Sequence, residues 1–139
     1  MNQTLFIRDI MSRPVTIAKS AVITEALDRM LDQEIDPLVV TNNGAVVGTV
    51  SRRAIAETIG SKRNANLSPN KIHVANVVQE EFTSAYEDES LDIVVPLLQV
   101  YKLVVVLDND HRPIGQVTRG DLLRVMPPGG SVDQAMESI

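Results

Sequence analysis

The sequence predicts an α+β fold built from two β-α-β-β-α units related by pseudo-twofold symmetry. Three observations predict it: an internal repeat, a tight-turn signal that recurs in each copy, and apolar residues whose spacing switches between strand and helix periods. The repeat has an offset of 67 residues. Asn42-Asn43-Gly44-Ala45-Val46-Val47-Gly48-Thr49-Val50-Ser51-Arg52 aligns with Asn109-Asp110-His111-Arg112-Pro113-Ile114-Gly115-Gln116-Val117-Thr118-Arg119, and Val15-Thr16-Ile17-Ala18 aligns with Phe82-Thr83-Ser84-Ala85. Between these anchors the apolar positions fit better at 68, pairing Ile23, Ala26, Leu27 and Met30 with Leu91, Val94, Val95 and Leu98.

In the first copy, residues 15–17 read as a short strand and residues 22–33 as an amphipathic helix. Residues 38–41 and 45–51 are β-rich runs around Asn42-Asn43-Gly44, where Asn and Gly tolerate the positive φ of a two-residue hairpin. A helix follows over 52–59, with Gly60 placed to end it. The second copy repeats the order with strands over 82–84, 103–107 and 113–118, a helix near 90–101, and a last helix to about Met126. Pro96 lies inside the 90–101 helix, where its missing N–H predicts a kink. These readings divide the chain into a first unit over 5–60, a linker over 61–73, a second unit over 74–126 and a tail over 127–139. Each unit is too small to bury a robust core alone, so the two are expected to pack together around a shared cleft.

Composition narrows the function. The 139 residues carry 13 basic and 18 acidic side chains, a net charge of −5, and nucleic acid is not an expected partner. The imbalance lies in the second half: residues 71–139 hold five basic and eleven acidic side chains, against eight and seven in residues 1–70. There is no cysteine, which excludes thiolate metal sites and a cysteine nucleophile, and with two histidines no metal site is expected. Aromatics make up 3%, a poor stacking platform for single strands. Nothing resembles a signal peptide or a membrane span, so the expected location is cytoplasmic.

The order of these elements resembles the tandem cystathionine-β-synthase-type (CBS) domain pair, or Bateman module, over roughly residues 5–126. The resemblance rests on Ile7-Arg8-Asp9-Ile10-Met11-Ser12-Arg13-Pro14-Val15-Thr16, on Pro37-Leu38-Val39-Val40 before a hairpin, and on the two Gly-x-Val-[Ser/Thr]-Arg segments. It implies a regulatory module that binds an adenosine-containing ligand, AMP, ADP, ATP or S-adenosylmethionine, between the units. It implies no enzyme activity and no required cofactor. No effector domain is recognised in this sequence, so action in trans on another polypeptide is expected.

The family's ribose–phosphate motif, Gly-x-hydrophobic-[Ser/Thr]-x-x-[Asp/Asn], matches in full as Gly115-Gln116-Val117-Thr118-Arg119-Gly120-Asp121. A carboxylate at Asp121 can accept both hydrogen bonds of a ribose diol, and the Thr118 hydroxyl suits a phosphate. The first copy has Ala54 in place of the acid, so its Ser51 site is expected to be degraded, with Arg52 and Arg53 still offering charge. The resemblance also makes Arg119 and Lys102 candidate phosphate partners, Thr83 and Thr16 candidate ligand contacts and Phe82 a candidate base neighbour. Each has a plainer reading: surface charge for the two cations, backbone satisfaction for the threonines, core packing for Phe82. Thr118 and Asp121 equally spell a capping box that needs no ligand.

The remaining motifs are bland. His111 falls in the second hairpin turn and His73 at the end of the linker. Gly60-Ser61-Lys62 lacks the upstream glycine of a P-loop. No nucleophile–base or carboxylate pair recurs at a useful spacing. Ser131 could cap a short helix in the tail. The helices carry Ile23, Leu27, Met30, Leu91, Val95, Leu122 and Leu123, more apolar surface than two small units are expected to bury, which predicts a homodimer. The alternative function is a ligand-independent interaction module.

Overall fold

Asn43 and Gly44 take φ of 53° and 86°, and between them they close the first hairpin on two residues. The strands they join are β2 (Leu38–Asn42) and β3 (Ala45–Val50), antiparallel with Asn42 opposite Ala45. Strand β1 (Thr16–Ala18) lies parallel to β2 on its other side, giving the order β1-β2-β3. The parallel connection is made by helix α2 (Ile23–Gln33). Its Ile23, Ala26 and Met30 stand at i, i+3 and i+7 and are buried, each large side chain contributing about 1.5–3 kcal/mol. Helix α3 (Arg52–Ile59) follows β3 and is capped by Ser51, whose hydroxyl accepts from the Ala54 N–H at 3.1 Å. Gly60 ends it as expected, yet at φ −78°, where any residue fits; the left-handed cap belongs instead to Glu34, φ 53°, after α2.

The computed structural model describes residues 5–61 and 66–125. Within them the second copy forms β4 (Thr83–Tyr86), β5 (Leu103–Leu107) and β6 (Pro113–Thr118), again parallel then antiparallel, with the positive φ of its turn taken by His111. Strand β5 is buried at every position. The helix expected over 90–101 is much shorter. It is a 3-10 turn at Leu91–Ile93 followed by α4 (Val94–Leu97). Pro96 has no N–H to continue a long ladder, and it is tolerated because it falls within the first turn of α4. Helix α5 (Arg119–Arg124) follows β6. The end of the last predicted helix at Met126, Lys62 of Gly60-Ser61-Lys62 and the tail with Ser131 lie outside the described residues.

The compact units do not follow the repeats as written. Residues 15–61 and 66–81 form one; residues 5–14 and 82–125 form the other. The lead-in segments are exchanged. Ile7 and Ile10, on the short helix α1 (Ile7–Ile10), pack with Val104, Val106, Val117 and Leu122. Val74 and Val77, which open the second unit as the sequence divides the chain, pack with Ile17, Leu38, Val50 and Ile55. Sequence distance conceals this, because each lead-in belongs to the sheet of the opposite copy.

That exchange also changes the account of surplus apolar surface. Ile23, Met30, Val95 and Leu122 are fully buried within their units, and Leu27 and Leu91 pack against the cores. Of the seven helix residues only Leu123 is exposed, while Leu31 and Val100 are the large apolar side chains most open to solvent. Among the described residues no helix is long and apolar enough to cross a membrane.

Candidate functional site

The end of the second sheet gathers residues from three distant parts of the chain. Thr83 opens β4 opposite Val104, and Leu103 opens β5 opposite Thr118 at the close of β6. Phe82, Thr83, Lys102, Thr118 and Arg119 therefore lie at one end of one sheet. Phe82, Thr83 and Thr118 are half-buried, whereas Lys102 and Arg119 are exposed. Among the described residues, Phe82 packs in neither hydrophobic core. Arg119 donates from Nε to the Leu98 carbonyl at 2.9 Å, which fixes its stem at this end. Ser51 and Thr16 occupy the corresponding end of the other sheet, beside the Leu38–Val50 and Thr16–Val39 pairs. There the Thr16 carbonyl accepts from Arg29.

Asp121 is the buried ionisable group of the site, 3% exposed. Its Oδ2 accepts the Thr118 N–H at 2.8 Å and the Thr118 hydroxyl at 3.2 Å. Together with the longer Asp121 N–H to Thr118 Oγ1 contact, 3.4 Å, this completes the capping box. Its Oδ1 accepts from the Ser12 hydroxyl and pairs with Arg124 Nη2. Arg124 Nη2 also donates to Ser12 Oγ at 2.8 Å. A carboxylate has about four acceptor positions, and Asp121 uses all of them within its own unit. Both readings of Thr118-x-x-Asp121 thus start from a satisfied carboxylate.

Neither Ser12 nor Arg124 stands out in the sequence, although a signal for Ser12 is present. At the same offset of 67, Ile7, Ile10 and Met11 align with Val74, Val77 and Val78, and Ser12 with Gln79. The structure honours that alignment. Ser12 and Gln116 exchange backbone hydrogen bonds at 2.9 and 3.0 Å, and Gln79 and Thr49 do so at 2.8 and 3.0 Å. The motif glycines sit beneath these bridges. A Cβ on Gly115 would meet Met11 Sδ at 2.5 Å, and one on Gly48 would run into the Gln79 carbonyl oxygen. Close packing of the exchanged segment is therefore sufficient reason for glycine at both positions.

The equivalent place in the first copy is chemically reversed. Ala54 stands for Asp121, Gln79 for Ser12 and Glu57 for Arg124. An open groove of about 720 Å³ lies beside Ala54, lined by Ala54, Glu57, Thr58, Ser61 and the 76–79 segment. The two arginines at the start of α3 are engaged by acids: Arg52 Nε lies 3.5 Å from Asp36 Oδ2, and Arg53 Nε 3.2 Å from Glu57 Oε1. Asp36 also accepts the Arg52 N–H at 3.3 Å, supplying at the start of α3 an acid that Ala54 cannot. Among the described residues, no group of three or more acids and histidines is arranged to hold a metal ion.

Comparison with known proteins adds the family. The CBS domain family matches the chain twice, over residues 7–61 and 74–128. A CBS domain protein of unknown function, TA0289 from Thermoplasma acidophilum, superposes with a TM-score of 0.72 at 23% identity, covering 98% of this chain and 76% of that one. The CBS domain pair of protein MJ0100, solved in complex with 5′-methylthioadenosine and S-adenosyl-L-methionine, gives 0.71 at 28% identity, covering 88% and 96%. CBSX2 in complex with AMP gives 0.72 at 20% identity, covering 86% and 93%. A search of curated proteins gives no match. Two matched repeats, each with its own three-stranded sheet and helices, show that this chain belongs to the CBS domain family, as a tandem CBS pair.

Proposed function

We propose that this CBS pair is a non-enzymatic regulatory module of the cytoplasm that binds an adenosine-containing ligand, AMP, ADP, ATP or S-adenosylmethionine, and acts in trans on an effector protein. The observation that carries the reading is the convergence of Thr83, Lys102, Thr118 and Arg119 beside the Asp121 carboxylate at one sheet end. The roles follow from chemistry. Asp121 accepts from the ribose diol, Thr118 and Thr83 offer hydroxyls, and Lys102 and Arg119 face a phosphate. Phe82, half-buried at the same end, offers a face to the base. Ser51 and Thr16 contribute less, because Ala54 replaces the motif acid and the acid nearby, Asp36, is already paired with Arg52. The MJ0100 pair, 28% identical and bound to two adenosine compounds, supports the ligand class.

The test is thermal unfolding of the purified chain with each of the four compounds. A ligand that binds only the folded state raises stability by about 2.7 kcal/mol at 100 times its dissociation constant. Lys102→Ala and Thr83→Ala, neither fully buried, should reduce that gain. A second reading has its own observation: the acceptor positions of Asp121 are already filled by Thr118, Ser12 and Arg124. A ligand-independent interaction module needs nothing more. Failure of all four compounds to raise stability leaves that reading in place. Homodimerisation belongs to both, with Leu31, Val100 and Leu123 among the exposed apolar residues available for it. Light scattering at micromolar concentration should give about twice the 15.2 kDa of one chain.

A further inference from the structure

Arg124 pairs with Oδ1 of Asp121, one of the two oxygens a sugar diol would engage on that carboxylate. Of the groups on that carboxylate it is the one most easily given up. Thr118 is bound through its own backbone and Ser12 is held by the paired backbone bonds to Gln116, whereas the Arg124 side chain is 65% exposed. A diol arriving at Asp121 therefore displaces the guanidinium first. The displaced cation then stands beside the bound sugar without its anion. A phosphate on the same ligand restores the lost pairing, in the two-pronged geometry that guanidinium and phosphate share.

We propose that Arg124 selects among adenosine ligands by their 5′ charge, favouring a 5′-phosphate over a sulfonium or an uncharged 5′ group. The inference rests on the reading above that the ligand's ribose takes Asp121. The surroundings agree in sign. Lys102 and Arg119 lie at the same sheet end, and with Arg124 they set three positive charges against the two negative ones of Asp121 and of Glu81, which immediately precedes Phe82. A sulfonium would meet that cationic field and a displaced guanidinium with nothing to offer either. The first copy cannot discriminate in this way, because Glu57 stands where Arg124 would and holds Arg53.

The experiment is calorimetric titration of the full chain with AMP, 5′-methylthioadenosine and S-adenosylmethionine, for the parent and for Arg124→Gln and Arg124→Lys. The parent should bind AMP at least about tenfold more tightly than the other two. Arg124→Gln should lose about tenfold toward AMP while holding 5′-methylthioadenosine within about twofold, and Arg124→Lys should keep part of the preference. The selectivity ratio is the decisive readout, since a structural role would weaken all three ligands together. Equal loss for all three, or unchanged AMP affinity in Arg124→Gln, overturns the assignment, as does a parent that binds S-adenosylmethionine as well as AMP. A parent that binds none of the three removes the ligand reading itself, and with it this proposal. Binding without charge preference removes only the role of Arg124.

Discussion

The Ser12 hydroxyl donates to the Asp121 carboxylate across 109 residues of chain, tying a lead-in segment of the first repeat to the helix start of the second. It is also the acceptor for Arg124, so the three side chains form one connected unit. Burial decides what each is worth. Ser12→Ala removes a hydrogen bond to a carboxylate that is 3% exposed, and should cost about 1.5–3 kcal/mol. Arg124→Ala removes a formal ion pair, but from the solvent side, and should cost about 1 kcal/mol or less. Urea unfolding of the two variants checks the order. A larger loss for Arg124→Ala would show that charge outweighs burial here.

Asp121→Glu separates a cap from a bound, buried acid. Glutamate satisfies a capping box as well as aspartate does, so a purely capping Asp121 would tolerate the change with a loss below about 1 kcal/mol. Here Oδ1 also meets Ser12 and Arg124 in a closed space, and an added methylene must be accommodated there. The expected cost is about 1–3 kcal/mol, the range for overpacking a tight site. Chemical denaturation of Asp121→Glu distinguishes the two outcomes directly.

The two motif glycines should respond differently to alanine. At Gly48 the added methyl would collide with the Gln79 carbonyl oxygen, a backbone atom held by both bonds to Thr49. At Gly115 it would meet the side chain of Met11, whose sulfur and Cγ can swing aside. Gly48→Ala should therefore lie near the top of the roughly 1–3 kcal/mol range for overpacking, and Gly115→Ala near the bottom. Met11→Ala combined with Gly115→Ala should show a favourable coupling that Met11→Ala with Gly48→Ala does not.

Much of the fold was legible because its signals are local. Asn43-Gly44 specifies a two-residue turn by backbone sterics, and the 23/26/30 spacing of α2 follows from helix geometry. The helix at 90–101 misled because the apolar positions of the repeat suggest a full helix, while Pro96 limits the helix to α4. The candidate site was legible in part. Thr118 and Asp121 are three residues apart and could be read as a pair, but Ser12 and Arg124 acquire their meaning from tertiary contacts. The exchange of lead-ins was hidden for the same reason: nothing in Ile7 or Val74 by itself says which sheet it will cover.

That exchange predicts which half of the chain can stand alone. Fragments 15–81 and 5–71 are equal in length and share most of their residues. The first retains Ile72, Val74 and Val77 against Ile17, Leu38, Val50 and Ile55, so its core is complete. The second loses those three and keeps instead Ile7 and Ile10, whose partners Val104, Val106, Val117 and Leu122 are absent. Removing three buried aliphatic side chains forfeits about 1.5–3 kcal/mol each, comparable to the whole stability of so small a unit. Circular dichroism should show a cooperative thermal transition for 15–81 and a broad, non-cooperative one for 5–71. Equal cooperativity in the two fragments would mean that the repeats, as written in the sequence, are the folding units after all.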